Sequence, residues 1–216
     1  MAKTSLERYW VTKMEQIAID IETAPLDNAG DMFDESAVKV GNLKDPEKIK
    51  AKIEQAREEF VDKAALNWTT GRITCICLKN DDTEDKLLGS EEEILRNFWQ
   101  AVDGYQIITY NGHSFDMQFI IMRSLVNGVR CNAISSRGHK YIRNIDKDMH
   151  IDLANLYDSC GQMLKLDTVA KAILGESKTG DGKQAIQLFK DGKFDELAEY
   201  CMKDAEITWK LWKVLN

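Results

Sequence analysis

Apolar residues along the chain alternate between short continuous runs and longer stretches with helical spacing. Short runs bounded by polar residues predict buried strands, whereas apolar residues three and four apart predict helices. The predicted strands cover residues 17–23, 71–79, 87–88 and 106–110. The predicted helices cover residues 45–65, 91–102, 114–125 and 194–215. Residues 150–153 fit either a further strand or the start of a helix. This alternation predicts an α/β fold.

The first predicted helix is a charged segment that interrupts the alternation. Asp45 and Pro46 are typical of a helix start, since proline is tolerated in the first turn. A narrow apolar stripe on this helix consists of Ile49, Ile53, Ala56, Phe60 and Ala64. We predict one domain over residues 1–216 with a helical insertion at about residues 42–66 that packs on it; partner binding by this helix is the alternative.

The first predicted strand carries two acids where burial disfavours charge. Because strand side chains alternate, Ala18, Asp20 and Glu22 share one face and the isoleucines at 17, 19 and 21 share the other. Neighbouring carboxylates raise each other's proton affinity unless a cation lies between them, which indicates a metal site. A strand end in solvent, with both acids hydrated, explains this segment equally well.

A further acid follows the strand predicted at residues 106–110. Asn111 and Gly112 indicate a turn, and Ser114 is the predicted N-cap of the next helix. Asp116 then lies in the first helical turn, near the strand ends where open α/β sheets gather their sites. The alternative is that Asp116 only complements the helix dipole.

The C-terminal helix carries a tyrosine and an acid on one face. Tyr200 and Asp204 are four residues apart, so their side chains are neighbours on the helix surface. Taken alone, the pair is more typical of a tyrosine at the edge of a core and a solvated acid.

Taken together, these motifs resemble the DEDD superfamily of 3′-5′ exonucleases, in the tyrosine subclass written DEDDy. The matching motifs are Asp-x-Glu at Asp20 and Glu22, Asn-x-x-x-Phe-Asp from Asn111 to Asp116, and Tyr-x-x-x-Asp at Tyr200 and Asp204. The sister subclass has a histidine five residues before the last aspartate, where this chain has Glu199. The sequence around residues 175–182 and 197–201 also resembles a group of predicted exonucleases, some of them encoded by phages. These exonucleases are related to the proofreading domain of family B DNA polymerases.

The resemblance implies an RNase H-like α/β fold, with a mixed central β-sheet flanked by helices. It implies a 3′-5′ exonuclease that releases nucleotides from the 3′ end of DNA, with single-stranded DNA favoured, by two-metal-ion hydrolysis. Two Mg²⁺ or Mn²⁺ ions are expected, and the resemblance assigns them to Asp20, Glu22, Asp116 and Asp204.

The resemblance also implies roles for four residues that do not hold the cations. Tyr200 is expected to orient the attacking water, since a phenol with an ordinary pKa of about 10 is a poor general base at neutral pH. Thr23 and Asn111 are expected to hold the terminal nucleotide, and Phe115 is expected to support its base.

The amino-acid composition and two segments of the chain exclude some classes of function. A hydrophobic content of 44% excludes a disordered protein. The net charge of −7 argues against a protein that coats nucleic acid nonspecifically, because such binding depends on neutralising phosphates.

A basic segment at residues 123–147 is a candidate for guiding a polynucleotide, and a solvated loop is the alternative. The glycine-rich residues 175–183 lack the Gly-Lys-Ser/Thr of a phosphate-binding loop, so a nucleotide triphosphatase is excluded.

We expect the protein to be in a reducing compartment and to bind nucleic acid. Five cysteines without a Cys-x-x-Cys motif, no signal-peptide core and no membrane-length apolar stretch predict a cytoplasmic protein, in the host cytoplasm if the gene is viral. The expected partner is a single-stranded or frayed 3′ end. With no room for a polymerase domain in 216 residues, a polymerase or replication partner would act in trans.

Three alternatives to the DNA exonuclease remain open from the sequence. They are an exonuclease that acts on RNA, an RNase H-like endonuclease and a noncatalytic nucleic-acid-binding module. The sequence indicates no oligomeric state.

Overall fold

A mixed five-stranded β-sheet forms the centre of the protein. The structure, a computed structural model, describes residues 14–131, 149–157, 161–177, 180 and 182–216. The strands are β1 (Glu15–Pro25), β2 (Gly71–Lys79), β3 (Glu84–Leu87), β4 (Tyr105–Thr109) and β5 (His150–Asp152). Their order across the sheet is β3-β2-β1-β4-β5. The three strands β1, β4 and β5 are parallel, whereas β2 runs antiparallel to both of its neighbours. The predicted mixed sheet is therefore confirmed.

Six α-helices lie in the described part of the chain. They are α1 (Pro46–Lys63), α2 (Glu91–Ala101), α3 (Asp116–Val126), α4 (Leu166–Leu174), α5 (Gly182–Lys190) and α6 (Phe194–Leu215). The first three and the last agree with the prediction. The helices α4 and α5 were not predicted, because each has only nine residues and they flank the glycine-rich residues 175–183. Residues 150–153 fulfil both expectations, since β5 leads directly into a short 3-10 turn at Leu153–Asn155.

The strand β1 is covered on both faces, as its sequence predicted. Ile17, Ile19 and Ile21 pack in one core with side chains of α2 and α3. Ala18 lies in a second core on the other face, with side chains of α4 and α6. Burial of each isoleucine contributes roughly 1.5–3 kcal/mol, so the two cores fix β1 firmly between the helix layers.

The start of α3 differs from the prediction. The helix begins at Asp116, with Phe115 rather than Ser114 at the N-cap position, and no side chain caps it. The first-turn N–H of Met117 is instead bonded to the Gly112 carbonyl, 3.0 Å away. The tight turn before α3 thus supplies with its backbone what a serine hydroxyl would otherwise provide.

The predicted helix within residues 42–66 is present as α1. The Asp45 carboxylate accepts a hydrogen bond from the Glu47 backbone N–H at 3.0 Å and caps the helix. Phe60 packs against Phe33, with ring centroids 5.6 Å apart. The 3-10 turn Ala64–Leu66 that follows packs against β1, so the end of α1 lies beside the strand that carries Asp20 and Glu22.

The predicted basic segment at residues 123–147 falls largely on residues 132–148, which lie outside the described residues. Its first member, Arg123, is 5% exposed. The Arg123 guanidinium donates to the Glu91 carboxylate at 2.9 and 2.6 Å and to the Trp68 carbonyl at 3.1 Å. Assigning Arg123 to a nucleic-acid-guiding surface was therefore wrong, because its charge is used inside the fold. In the described part of the chain, none of the helices combines the length and the hydropathy of a membrane span.

Candidate active site

A cavity of about 590 Å³ lies where β1, α1, α3, α5 and α6 come together. Every residue predicted for the site lines it: Asp20, Glu22, Thr23, Asn111, Phe115, Asp116, Tyr200 and Asp204. The fold therefore joins three motifs that are far apart in the chain. The cavity wall also contains residues that the sequence did not indicate, among them Asp62, Lys63, Leu66 and Ile186. They come from the end of α1 and the start of α5, whose proximity to β1 depends on tertiary packing.

The strand β1 brings Asp20 and Glu22 to the cavity from its Ala18 face. The ladder between β1 and β2 shifts register between Glu22 and Thr23. The Thr74 hydroxyl donates a hydrogen bond to the Glu22 carbonyl oxygen at 3.0 Å within this irregularity. Irregularities of this kind bend a strand and redirect its side chains. Here the irregularity lies where both Glu22 and Thr23 reach the cavity.

The helix α6 supplies Tyr200 and Asp204, which are both buried. One carboxylate oxygen from each of Asp20, Glu22 and Asp204 lies within 4.8 Å of the other two. Glu22 is only 8% exposed and Asp204 only 2%. The alternative of hydrated acids is thus contradicted for these two residues.

Position 199, where the sister subclass has histidine, faces away from this cluster. Glu199 is exposed, and its carboxylate accepts from Lys86 Nζ at 2.5 Å on β3. Only the next residue, Tyr200, reaches the cavity. The helical register of α6 therefore presents the tyrosine rather than residue 199 to the carboxylates.

The turn after β4 has a backbone that few residues tolerate. Asn111 has a φ of 68°, in the left-handed region, where asparagine is one of the better-tolerated residues. A Cβ at Gly112 would clash with the Thr109 side chain, so this position requires glycine. The predicted Asn-Gly turn is confirmed, and it carries the chain from the end of β4 into Phe115 and Asp116.

Asp152 anchors this turn from the end of β5. Its buried carboxylate accepts hydrogen bonds from the backbone N–H groups of Asn111 at 2.7 Å, His113 at 2.9 Å and Ala154 at 3.1 Å. Hydrogen bonds to a charged group contribute about 1.5–3 kcal/mol each. Local sequence patterns do not indicate this role, because Asn111 and His113 lie about forty positions before Asp152.

Asp116 lines the cavity but lies outside the close cluster of three carboxylates. Burial raises the pKa of Asp116 to about 7, and the negative charges of Asp152 and Asp204 add to the rise. Hydrogen bonding to its own backbone N–H and to that of Ile21 opposes it. Without a cation, Asp116 therefore takes up a proton close to neutral pH.

This raised pKa predicts how the stability of the metal-free protein depends on pH. The folded state holds the Asp116 proton up to about pH 7, whereas the unfolded chain releases it near the ordinary value of 3.8. The contribution of Asp116 to the free energy of unfolding is complete below the pKa of the unfolded chain, and it is lost as the pH rises through the folded pKa of about 7. Lowering the pH from 8 to 5 in a chelator is therefore expected to stabilise wild type relative to Asp116→Asn by roughly 1–3 kcal/mol.

Urea unfolding of both proteins at several pH values measures this difference. The comparison with Asp116→Asn is needed because His150 acts in the opposite direction. Burial and the neighbouring His113 lower the pKa of His150 to about 3, so its contribution is lost as the pH falls below about 6.5. Parallel pH profiles for the two proteins would show that Asp116 does not hold a proton in this way.

The carboxylates fit divalent cations. Carboxylate oxygens are the ligands that hard cations such as Mg²⁺ and Mn²⁺ prefer. Three carboxylate oxygens lie within 4.8 Å of one another, and two of them belong to buried residues. Their negative charges repel strongly unless positive charge lies between them. Three of the four predicted ligands therefore form a donor set that fits divalent cations.

The chain is similar to parts of several known DNA polymerases. The chain is 28% identical over 225 residues to DNA polymerase 1 of Sulfolobus acidocaldarius, a match that covers 94% of the chain and 24% of the polymerase. It is 29% identical over 144 residues to the DNA polymerase of Thermococcus litoralis, covering 59% of the chain and 8% of that polymerase. The chain thus spans a quarter or less of these relatives.

A solved structure has the same fold. The family B DNA polymerase from Pyrobaculum calidifontis superposes with a TM-score of 0.62 at 17% identity, over 94% of this chain and 24% of the polymerase. The fold is RNase H-like, as the resemblance implied. The sequence model of a family described as "predicted 3′-5′ exonuclease related to the exonuclease domain of PolB" matches residues 35–215. This match covers most of the chain, which therefore belongs to that family of exonucleases related to the PolB exonuclease domain.

Proposed function

We propose that the protein is a metal-dependent 3′-5′ exonuclease of the DEDDy type that releases nucleotides from the 3′ end of single-stranded DNA. The observation that carries this proposal is the convergence of Asp20, Glu22, Asp116, Tyr200 and Asp204 on one cavity. The family assignment supports the same reaction class. The DNA polymerases among the relatives favour DNA as the substrate.

The proposal assigns two Mg²⁺ or Mn²⁺ ions to Asp20, Glu22, Asp116 and Asp204. When bound, such cations supply Lewis acidity, a more acidic water and stabilisation of the departing 3′ oxygen. The four carboxylates supply the negative charge that holds the cations, and burial of Glu22, Asp116 and Asp204 strengthens that attraction by lowering the local dielectric. The close cluster of Asp20, Glu22 and Asp204 is already assembled for this task.

The proposed role of Tyr200 is to hold the attacking water in line with the phosphorus atom. Its side chain enters the cavity one helical turn before Asp204. The ring has little freedom, because Tyr200 is buried in a cluster with Ala185 of α5 and with neighbouring side chains of α6. A phenol held in this way orients a water without having to ionise at neutral pH.

The 3′-terminal nucleotide is proposed to lie against Thr23, Asn111 and Phe115. These three side chains line the same cavity as the carboxylates, and the cavity volume is within the usual range for small-ligand sites. Phe115 offers an aromatic face on which a base can stack, supported from behind by Phe119 with ring centroids 5.5 Å apart. Lys63 and Lys183 in the cavity wall supply positive charge for the phosphodiester backbone.

A nuclease assay with 5′-labelled single-stranded DNA tests the proposal. We expect a ladder that shortens from the 3′ end with Mg²⁺ or Mn²⁺ and full-length DNA with excess chelator. Internal fragments without a ladder would indicate an endonuclease, and degradation of RNA alone would reassign the substrate. Intact DNA and RNA under every condition would contradict catalysis and favour a binding module.

A further inference from the structure

Three cysteines form a buried cluster directly beside the carboxylates. Cys75 and Cys77 lie on β2, Cys201 lies on α6, and all three are 0% exposed. Their Sγ atoms lie within 4.8 Å of one another, with 3.6 Å between Cys75 and Cys77. The sequence showed only a Cys-x-Cys pair, which by itself is typical of small apolar residues in a strand. The fold adds the third thiol from more than a hundred residues away.

The cysteine cluster and the carboxylate cluster lie next to each other on the neighbouring strands β1 and β2 and on α6. Asp20 lies opposite Cys77 and Glu22 opposite Cys75 in the ladder between β1 and β2. Cys201 Sγ lies 3.5 Å from Asp20 Oδ2 and donates to the Asp20 carbonyl oxygen at 3.3 Å. Asp20 is only partly buried and lines the cavity, so it connects the thiols with the cavity. The Asp20 carboxylate thus contacts Cys201, although it lies outside the group of three sulfur atoms that are within 4.8 Å of one another.

The spacing of the sulfur atoms fits a thiolate-bound cation. A metal–sulfur bond of about 2.3 Å places neighbouring sulfur ligands about 3.8–4.0 Å apart in tetrahedral or trigonal geometry. The observed separations, from 3.6 to at most 4.8 Å, bracket this value. Apolar packing accounts for the burial of each thiol, but it does not require the three sulfur atoms to lie within 4.8 Å of one another.

We propose that Cys75, Cys77 and Cys201 bind a thiophilic divalent cation of the Zn²⁺ class, and that the Asp20 carboxylate, which contacts Cys201, turns toward this cation as fourth ligand. Thiolates select such cations over Mg²⁺. Binding releases the thiol protons to solvent, because the thiolates are the ligands. Lys86, paired with Cys77 across β2 and β3, supplies nearby positive charge that offsets the thiolates.

This site has a consequence that rests on the proposed function. An Asp20 carboxylate drawn to the thiolates is less available to the cations of the cavity. Zn²⁺ bound at the cysteines is therefore expected to inhibit the Mg²⁺-dependent exonuclease, and chelation of Zn²⁺ is expected to restore it.

Titration of the reduced, metal-free protein with Cd²⁺ tests the site independently of nuclease activity. Thiolate-to-cadmium charge transfer gives an ultraviolet absorption band that carboxylate ligands do not give. We expect the band to saturate at one equivalent of Cd²⁺ in wild type. In Cys77→Ala, Cys201→Ala and Cys201→Ser, the affinity for Cd²⁺ should fall by about tenfold or more, and the saturated band should be smaller because two thiolates remain instead of three. The full band should persist in Asp116→Asn and in excess Mg²⁺.

Cys131→Ala and Cys160→Ala are the matched controls, since they remove the other two cysteines of the chain. Both should keep the full band, and circular dichroism should show that every variant compared is folded. The absence of a band in wild type, or an undiminished band in folded Cys201→Ser, would overturn the proposal. Neither result bears on the exonuclease assay, so the two proposals can fail separately.

Discussion

Replacing Asp204 by asparagine is expected to lower kcat on single-stranded DNA by at least about 10³-fold while the protein stays folded. The amide has nearly the same shape as the carboxylate, but it removes one negative charge from the close cluster with Asp20 and Glu22. Cation binding at the cavity should weaken accordingly. In a chelator the variant should be at least as stable as wild type, because the like charges repel each other less.

Asp195→Asn is the matched control for this prediction. It makes the same chemical change in the first turn of the same helix, at an exposed position outside the cavity. Its kcat should equal that of wild type, and thermal unfolding in a chelator should show both variants folded. An Asp204→Asn protein that keeps wild-type kcat would remove the basis for a metal site in this cavity.

Replacing Tyr200 by phenylalanine is expected to lower kcat by about 10–10²-fold with little change in KM or in the Mg²⁺ concentration required. The phenylalanine ring can keep the buried packing of Tyr200, so the substitution removes only the hydroxyl group. Under the proposed mechanism, bound cations would still make the attacking water more acidic, but the direction of that water would no longer be fixed. Steady-state kinetics at several Mg²⁺ concentrations separate these effects.

Tyr105→Phe provides the comparison, because Tyr105 lies at the start of β4 and does not line the cavity. This variant should leave kcat unchanged. If Tyr200→Phe instead needs much more Mg²⁺ to reach an unchanged kcat, then Tyr200 contributes to cation binding rather than to the orientation of the water.

The sequence predicted those features of the site that depend on local periodicity. The alternation in β1 places Asp20 and Glu22 on one face, and the four-residue spacing in α6 places Tyr200 beside Asp204. Both features follow from backbone geometry within one element. The structure adds that the separate motifs meet in one cavity.

Contacts across the fold were beyond the reach of such patterns. Asp152 holds the turn at Asn111 from 41 positions away, and Cys201 reaches Asp20 over 181 positions. In both cases the partner is chosen by tertiary packing, which no local propensity records. The predicted cap at Ser114 failed for a local reason, since the Gly112 carbonyl already accepts from the Met117 N–H.

Anomalous diffraction from crystals soaked with Mn²⁺ and a deoxynucleoside 5′-monophosphate tests the central claim most directly. We expect manganese peaks in the cavity, bound by carboxylate oxygens of Asp20, Glu22, Asp116 and Asp204, with the base of the nucleotide against Phe115. The same soak of Asp204→Asn crystals should show weaker peaks or none. Manganese absent from the cavity of wild type, or bound only elsewhere on the protein, would contradict the assignment of this cavity as a two-metal exonuclease site.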